Sequence, residues 1–94
     1  MFLEIVTPEA ILFSSEIDSV AVPGVEGEFQ MLNNHAAIVS VLKEGLVKIY
    51  VHNQEKIEVN EQFVPDPDDN KILTLAINSG TLELKDNKAI ILAD

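Results

Sequence analysis

The sequence predicts an all-β fold, an antiparallel sandwich or barrel, and three observations support this prediction. Apolar and polar residues alternate in Lys56–Asn60 and Thr81–Lys85, a pattern typical of half-buried strands. Turn-forming residues recur at intervals of about eight to twelve residues. A helical period is not sustained in any part of the chain. Short strands joined by tight turns are therefore the expected architecture.

Denser apolar stretches rich in Val and Ile predict the other strands. In chain order they are Phe2–Val6, Ile17–Val22, Phe29–Leu32, Ile38–Leu42, Leu46–Val51, Ile72–Ile77 and Lys88–Ala93. We expect the chain to reverse at each turn signal between them. These signals are Pro23-Gly24, Asn33-Asn34, Gly45, His52-Asn53, Pro65–Asp68, Ser79-Gly80 and Asp86-Asn87. Residues 8–13 have the only helical character, and the segment is too short to form a stable helix.

Length and composition favour one globular domain over residues 1–94. Apolar residues make up 47% of the chain and charged residues 23%, a balance that disordered segments lack. Pro65–Lys71, with two prolines and several acidic residues, is predicted to be an exposed loop. No apolar run approaches the roughly 18 to 20 residues that span a bilayer, and the first residues lack signal-peptide features. We expect a cytosolic or peripheral protein without direct membrane insertion.

The charge is strongly acidic. Sixteen Asp and Glu residues stand against six lysines, which gives a formal net charge of −10. The sequence contains no Arg, so the bidentate phosphate contacts typical of nucleic-acid binding are missing, and we exclude nucleic acid as a partner. A basic or polar protein surface is the expected partner. The alternative, that the acidity serves only solubility, stays open.

The candidate metal sites in the sequence are weak. Asp66–Asn70 resembles the opening of a calcium loop, but Lys71 stands where that loop requires Gly and Ile77 where it requires Glu. His35 and His52 adjoin turns, and we expect both in loops, with His35 partly buried. The chain has no Cys. We therefore predict neither a metal site nor a cofactor site.

Catalytic motifs are equally weak. Ser40, His35 and Glu28 are separate pieces of a kind that nearly any domain contains. The glycine segment Pro23–Glu28 lacks the Lys of a phosphate-binding loop, and its acids would repel phosphate. We predict no catalytic residue. The alternatives that remain are a freestanding ligand- or protein-binding β-sandwich and a small hydrolase that uses His35 or a carboxylate pair.

The glycine segment has a clearer physical interpretation as a turn. Gly24 and Gly27 permit positive φ or close approach of the backbone, which leaves Glu26 and Glu28 displayed on a tip between strands. Such a tip can dock on a partner. The alternative is that Glu28 is a solvated hairpin residue, since exposed ion pairs contribute little.

Residues 23–38 resemble the signature region of epsilon subunits of bacterial F-type ATP synthases. The shared pattern is a Gly-x-x-Gly-Glu turn, a short apolar strand and a stretch that begins His-Ala, here at His35-Ala36. Leu3–Glu9 with Phe13-Ser14 resembles the family's opening strand and loop. Gly80–Asp94 resembles the close of its sandwich.

The resemblance implies a flattened antiparallel β-sandwich of about ten short strands. It also implies a non-catalytic central-stalk subunit of the rotor that joins the gamma subunit to the membrane c-ring and couples proton flow to ATP synthesis. Glu26, Gly27 and Glu28 would face the polar loops of the c-ring, and His35 and Ala36 would face the gamma subunit. The alpha/beta head is a further candidate partner. The expected location is peripheral, on the cytoplasmic face of the bacterial inner membrane.

The chain departs from the family pattern in four places. Ala37 replaces the usual Pro, and Asn78-Ser79 stands where a Gly is common. An extended acidic hairpin or loop is expected at about residues 53–71. The sequence ends at Asp94, where many family members continue into two helices that bind ATP or inhibit hydrolysis. We therefore expect neither of these two activities.

Overall fold

The computed structural model describes residues 1–52, 59 and 61–94, which form strands, turns and bends. The ten strands are β1 Phe2–Val6, β2 Ile11–Glu16, β3 Ser19–Gly24, β4 Gly27–Leu32, β5 Ile38–Leu42, β6 Gly45–Tyr50, β7 Phe63–Pro65, β8 Ile72–Ile77, β9 Gly80–Lys85 and β10 Lys88–Ala93. The all-β prediction is confirmed. The predicted strand Lys56–Asn60 lies outside the described residues, apart from Val59, which packs partly buried against the core.

All ten strands belong to one hydrogen-bonded sheet. Its order is β2-β1-β10-β9-β5-β3-β6-β8-β7, and β4 pairs with β3. Within the described part of the chain, no helix is long and apolar enough to cross a membrane.

A long two-stranded ribbon, bent in its middle, organises this sheet. β5 pairs with β9 as far as Leu42 and Gly80, and β6 pairs with β8 from Gly45 and Ile77, so one register continues across the interruption. β5 and β6 both run antiparallel to β3, which means that the chain keeps its direction between them. The predicted reversals at Gly45 and at Ser79-Gly80 are therefore wrong. Both strands bend there and continue into the other half of the sheet.

The bend makes the two halves of the sheet face each other across one apolar core. The first half is β2-β1-β10-β9-β5 and the second is β4-β3-β6-β8-β7. The largest fully buried side chains come from both halves: Leu3, Ile5, Leu42, Leu82, Leu84 and Ile91 from the first, and Val20, Val22, Met31, Val47, Ile49 and Leu73 from the second. Because one face of each half is apolar, folding the sheet over removes both faces from water.

β3 differs from the other strands because all six of its residues are buried. Its outward-facing residues are small, and longer side chains on the neighbouring strands flank them. Ala21 pairs with Gln30 on one side and with Lys48 on the other. Gln30 Nε2 also donates a hydrogen bond of 3.0 Å to Ser19 Oγ. β3 is therefore fixed on both faces as well as on both edges.

The sides of the sandwich opposite the bend meet through aromatic side chains. β2 and β7 are the two ends of the pairing order, and Phe13 of β2 and Phe63 of β7 are both buried. Their ring centroids are 5.9 Å apart and the rings are tilted by 40°. The ring pair thus joins the two edge strands where no backbone ladder does.

The prediction of an antiparallel sheet needs one correction. β1 and β10 pair in parallel, from Phe2 with Lys88 to Val6 with Leu92. The described neighbours elsewhere in the sheet are antiparallel. β1 and β10 come from opposite ends of the sequence, so no hairpin constrains their relative direction.

β2 is a strand that the sequence did not predict. The chain turns between Thr7 and Ala10, whose backbone groups exchange hydrogen bonds of 2.8 and 3.3 Å, and Ile11 then begins β2. Residues 8–13 form no helix, as their length led us to expect. The burial of β2 is irregular, and the register with β1 shifts between Ile5 and Val6. This explains why no alternating pattern marked the strand.

The predicted loop after Pro65 is confirmed in part. β7, which was not predicted, ends at Pro65, and the residues that follow it are mostly exposed. Asp66 Oδ1 accepts from the Asp68 N–H at 2.8 Å, and Asp69 Oδ1 accepts from the Lys71 N–H at 2.9 Å. The acids thus stabilise their own turns. Residues 53–58 and 60 of the expected hairpin lie outside the described residues.

The ring pair predicts a measurable coupling between the two edge strands. Phe13→Leu and Phe63→Leu should each lower the free energy of unfolding by about 1 kcal/mol. The double variant should show a coupling of about 0.5–1.5 kcal/mol, because the two rings contact each other. Urea unfolding of the four proteins gives this value. In a control cycle that combines Phe13→Leu with Phe29→Leu, the coupling should be about zero. Equal couplings in the two cycles would contradict the proposed contact between the Phe13 and Phe63 rings.

Candidate functional site

The hairpin between β3 and β4 carries the acidic residues singled out in the sequence. Gly24 pairs with Gly27, and Val25 and Glu26 form the turn between them. Gly27 has a φ of 129°, a conformation that side chains disfavour. A Cβ on Gly24 would lie 2.8 Å from Cε1 of Phe29 and 2.9 Å from the Gly27 carbonyl oxygen. One glycine is therefore needed for its conformation and the other for close approach, the two roles that the sequence suggested.

Glu28 has a partner within the chain that sequence reasoning missed. Its Oε1 lies 3.1 Å from Lys48 Nζ, and the side chains are 50% and 36% exposed. β3 separates the two strands that carry them. An ion pair this exposed contributes at most about 1 kcal/mol. Glu28 is thus held in place, yet it can exchange Lys48 for an external cation at little cost.

The bend of the long ribbon lies directly beside this hairpin. The Lys43 N–H donates to the Pro23 carbonyl oxygen at 2.9 Å, and a Cβ on Gly45 would lie 2.7 Å from Pro23 Cβ. Lys43 and Glu44 are both exposed. We call residues 25–28 and 43–44 together the tip. Its second segment did not emerge from the sequence, because contacts of residues 42–45 with Pro23 and Gly24 bring it there.

His35 and Ala36 lie in a different place, the exposed connection of residues 33–37 between β4 and β5. The His35 N–H donates to the Leu32 carbonyl oxygen at 3.1 Å. Its Nδ1 lies 2.7 Å from the Ala36 carbonyl oxygen, a contact that requires the proton on Nδ1. The expectation that His35 is partly buried is wrong, because the connection runs outside the core. His52 is exposed, as expected of a loop residue.

The tip and the β4–β5 connection are at opposite ends of β4. Gly27 begins the strand and Leu32 ends it. At about 3.3 Å per residue, these ends are roughly 17 Å apart. The structure therefore does not bring Glu28 and His35 together. It presents them on two separate surfaces.

This separation rules out a catalytic triad made of Ser40, His35 and Glu28. Ser40 lies on β5, and its Oγ donates to the Val41 carbonyl oxygen at 3.3 Å. Glu28 and His35 are too far apart to orient each other. Among residues 1–52, 59 and 61–94, no three His, Cys, Asp or Glu side chains are placed to share a metal ion.

An open groove of about 550 Å³ lies beside the bend and bears on the ligand-binding alternative. Val6, Val41 and Leu92 contribute to its mainly apolar lining. The carboxylate of Asp94, also in the lining, accepts a hydrogen bond from Ser79 Oγ. Ligand sites usually combine such a surface with a few converging polar groups and with enclosure. The groove has the volume of a ligand site but is open to solvent.

Comparisons with known proteins identify relatives over the whole chain. The family described as the β-sandwich domain of the ATP synthase delta/epsilon chain matches residues 1–94. An ATP synthase epsilon chain of Campylobacter curvus is 39% identical over 94 residues, which are 100% of this chain and 60% of that one. The epsilon chain of Desulforamulus reducens is 34% identical over 92 residues, 98% of this chain and 57% of that one. The chain thus spans about 60% of the length of the curated relatives it matches.

Solved structures share the fold at low sequence identity. A chain in the central stalk and c-ring of the Tetrahymena thermophila mitochondrial ATP synthase matches with a TM-score of 0.71 and 18% identity, covering 98% of this chain and 61% of that one. A chain in the Euglena gracilis mitochondrial enzyme matches with a TM-score of 0.74 and 16% identity, covering 97% of this chain and 48% of that one. These likenesses support the sandwich architecture.

The two glycines of the tip predict distinct costs on substitution. Gly27→Ala should lower the free energy of unfolding by about 1–2 kcal/mol, because the backbone stays at positive φ. Gly24→Ala should cost about 1–3 kcal/mol, because the new methyl group overlaps Phe29. Adding Phe29→Leu should recover part of the second cost and none of the first. Urea unfolding provides the measurement. Val25→Ala, in the same turn, is the control and should change stability by less than about 0.5 kcal/mol.

Proposed function

The chain belongs to the family of ATP synthase delta/epsilon chain β-sandwich domains, and from this membership we propose that it is a non-catalytic subunit of the central stalk of an F-type ATP synthase. In this role it joins the gamma subunit to the c-ring, so that rotation driven by proton flow reaches the catalytic head. The observation that carries the proposal is the family match over residues 1–94. The epsilon chains that cover the whole of this sequence support it.

A coupling subunit needs two adhesive surfaces on one stiff body, and the geometry is consistent with this requirement. The tip and the β4–β5 connection lie at opposite ends of β4, so that one partner on each surface would not obstruct the other. Side chains from both halves of the sheet fill one shared core. Packed interiors resist deformation, and a torque applied at one surface would therefore reach the other.

We assign the tip to the c-ring and His35 with Ala36 to the gamma subunit. Glu26 and Glu28 present carboxylates at an exposed turn whose backbone conformation Gly27 permits, as a contact with basic and amide groups of polar loops requires. The net charge of −10 favours approach to such a surface. The alpha/beta head is a further candidate partner. No cofactor is needed for this role.

The proposed location follows from these partners. A chain that docks on the c-ring is peripheral to the membrane, on the cytoplasmic face of the bacterial inner membrane. Its residues contact protein loops, and the role requires no insertion of the chain into lipid.

Reconstitution tests the proposal. The purified chain is mixed with the cognate gamma subunit, and membranes stripped of their small stalk subunits are supplemented with the chain. Stoichiometric gamma binding and recovery of ATP-driven proton pumping are expected. A folded chain that neither binds gamma nor restores pumping would rule out the stalk function.

The pair of Glu28 and Lys48 allows a charge-reversal test of the tip. Glu28→Lys should weaken docking on the c-ring by about tenfold, or 1.4 kcal/mol, and uncouple pumping from hydrolysis. The double variant Glu28→Lys with Lys48→Glu restores an ion pair within the chain but leaves a cation at position 28. Its docking should stay weak. Proton pumping in supplemented membranes and binding to purified c-ring provide the measurements.

Two outcomes separate the possible roles of Glu28. Recovery in the double variant would show that the internal ion pair matters and that Glu28 does not contact the ring. Glu83→Lys, on the exposed face of β9 in the other half of the sheet, controls for the change in net charge and should leave docking intact. An equal loss in that variant would mean that long-range charge, and not the tip, governs docking.

A further inference from the structure

Asn87 occupies a rigid turn at the end of the β9–β10 hairpin. Lys85 pairs with Lys88, and Asp86 and Asn87 between them have φ values of 52° and 61°. Positive φ at both central residues is typical of the type I′ hairpin, which matches the twist of the flanking strands. The Asn87 carbonyl oxygen also accepts from the Phe2 N–H at 3.0 Å. The residue is therefore tied to β1 as well as to its own hairpin.

From this turn the Asn87 side chain contacts the connection that carries His35 and Ala36. Its Oδ1 accepts from the Asn34 N–H at 2.8 Å, and its Nδ2 donates to Asn33 Oδ1 at 2.8 Å. The amide thus uses its acceptor and one of its donors on two successive residues of the connection. Fifty-three positions of sequence separate Asn87 from Asn34, so the contact joins distant parts of the chain.

The contacts of Asn87 set the orientation of the connection relative to the sheet, which the connection's internal hydrogen bonds do not. The bond from the His35 N–H to Leu32 and the contact of His35 Nδ1 with Ala36 shape the connection, but they do not set its orientation relative to the sheet. Asn34 also has a φ of 64°, a left-handed conformation that Asn adopts more readily than most residues but that glycine alone adopts without cost. A bond to the Asn34 N–H from a fixed acceptor stabilises that conformation.

The N-terminal ammonium group adds to the same cluster. It donates to Asn33 Oδ1 at 2.8 Å, so this oxygen accepts from both Met1 and Asn87. The ammonium also lies 3.5 Å from a carboxylate oxygen of Glu16. The cluster therefore brings β1, the β4–β5 connection and the β9–β10 turn together at one end of the sandwich.

We propose that Asn87 is a positioning residue for the partner contact of His35 and Ala36. It holds Asn33 and Asn34, and so it orients the two residues that follow before the partner arrives. This inference rests on the proposed function, which gives the gamma subunit as the partner. A surface loop ordered in advance loses less conformational entropy on binding, so the benefit of Asn87 appears as affinity.

Two matched glycine substitutions in one turn test the proposal. Asn87→Gly and Asp86→Gly each remove a side chain from a residue at positive φ, and glycine favours that conformation, so the hairpin is preserved. The Asn87 side chain is the one that bonds to the connection. Asn87→Gly should accelerate hydrogen exchange at the Asn34 amide and weaken gamma binding, each by about tenfold. Asp86→Gly should change neither by more than about twofold.

A conservative variant separates positioning from general stability. Asn87→Asp keeps an acceptor for the Asn34 N–H and loses the donor to Asn33, so its exchange rate and gamma affinity should fall between those of the wild type and Asn87→Gly. Urea unfolding of all variants shows whether affinity merely follows global stability. A loss of affinity that follows stability alone, without faster exchange at Asn34, would overturn the inference.

The test distinguishes failure of the inference from failure of the proposed function. Gamma binding by the wild-type chain tests the proposed function, and its absence would exclude gamma as the partner that Asn87 serves. If the wild type binds gamma, equal affinities of Asn87→Gly and Asp86→Gly would refute the positioning role while leaving the stalk function intact.

Discussion

The structure depends on one constraint, which is that a single sheet must fold over to bury its apolar face. The bent ribbon of β5–β6 and β8–β9 makes this possible, since both strands cross from one half to the other without losing register. Glycines at the bend allow close approach. A Cβ on Gly80 would lie 2.5 Å from the Leu92 carbonyl oxygen, and one on Gly45 would overlap Pro23. This geometry accounts for the shared core and for the contact between Phe13 and Phe63 on the side opposite the bend. It also positions the tip and the β4–β5 connection.

The bend also determines where the tip can stand. Gly24, at the root of the tip hairpin, pairs with Leu42 in the first half of the sheet, while Ser19, Val20 and Ala21 of β3 pair with β6 in the second. The tip is therefore attached at the junction of the two halves. A turn rooted in one half alone would move with that half. A force applied to this hairpin would therefore act on both halves of the core.

Much of the fold was predictable because strand residues carry a local signal. The bounds of β1, β5, β8 and β10 agree with the predicted segments, where apolar β-branched residues are dense. β2 and β7 were missed because the first has no regular alternation and the second is a three-residue strand that ends in Pro65. A bend that keeps the chain direction has the same Gly and Ser content as a reversal. Only pairing with distant strands decides between them, and a single sequence does not show that pairing.

The candidate site was predictable to a similar degree. Gly24 and Gly27 revealed their roles because the demands of a tight turn are local. The pairing of Glu28 with Lys48 depends on a contact across β3 between strands that are distant in sequence. The position of Lys43 and Glu44 at the tip likewise depends on a contact with β3 that local sequence does not reveal. The amide cluster at Asn33, Asn34 and Asn87 is of the same kind, because three turn-forming residues gave no sign that two of the turns would meet.

The parallel pairing of β1 with β10 has a mechanical consequence. In a parallel pair, tension that pulls β1 toward its first residue and β10 toward its last one slides the strands lengthwise past each other. The hydrogen bonds between the two strands are then loaded in shear and resist together. In an antiparallel hairpin pulled at its two ends, the hydrogen bonds are loaded and break one after another. β1 and β10 therefore hold together well under such tension, because all the hydrogen bonds between them must break at once.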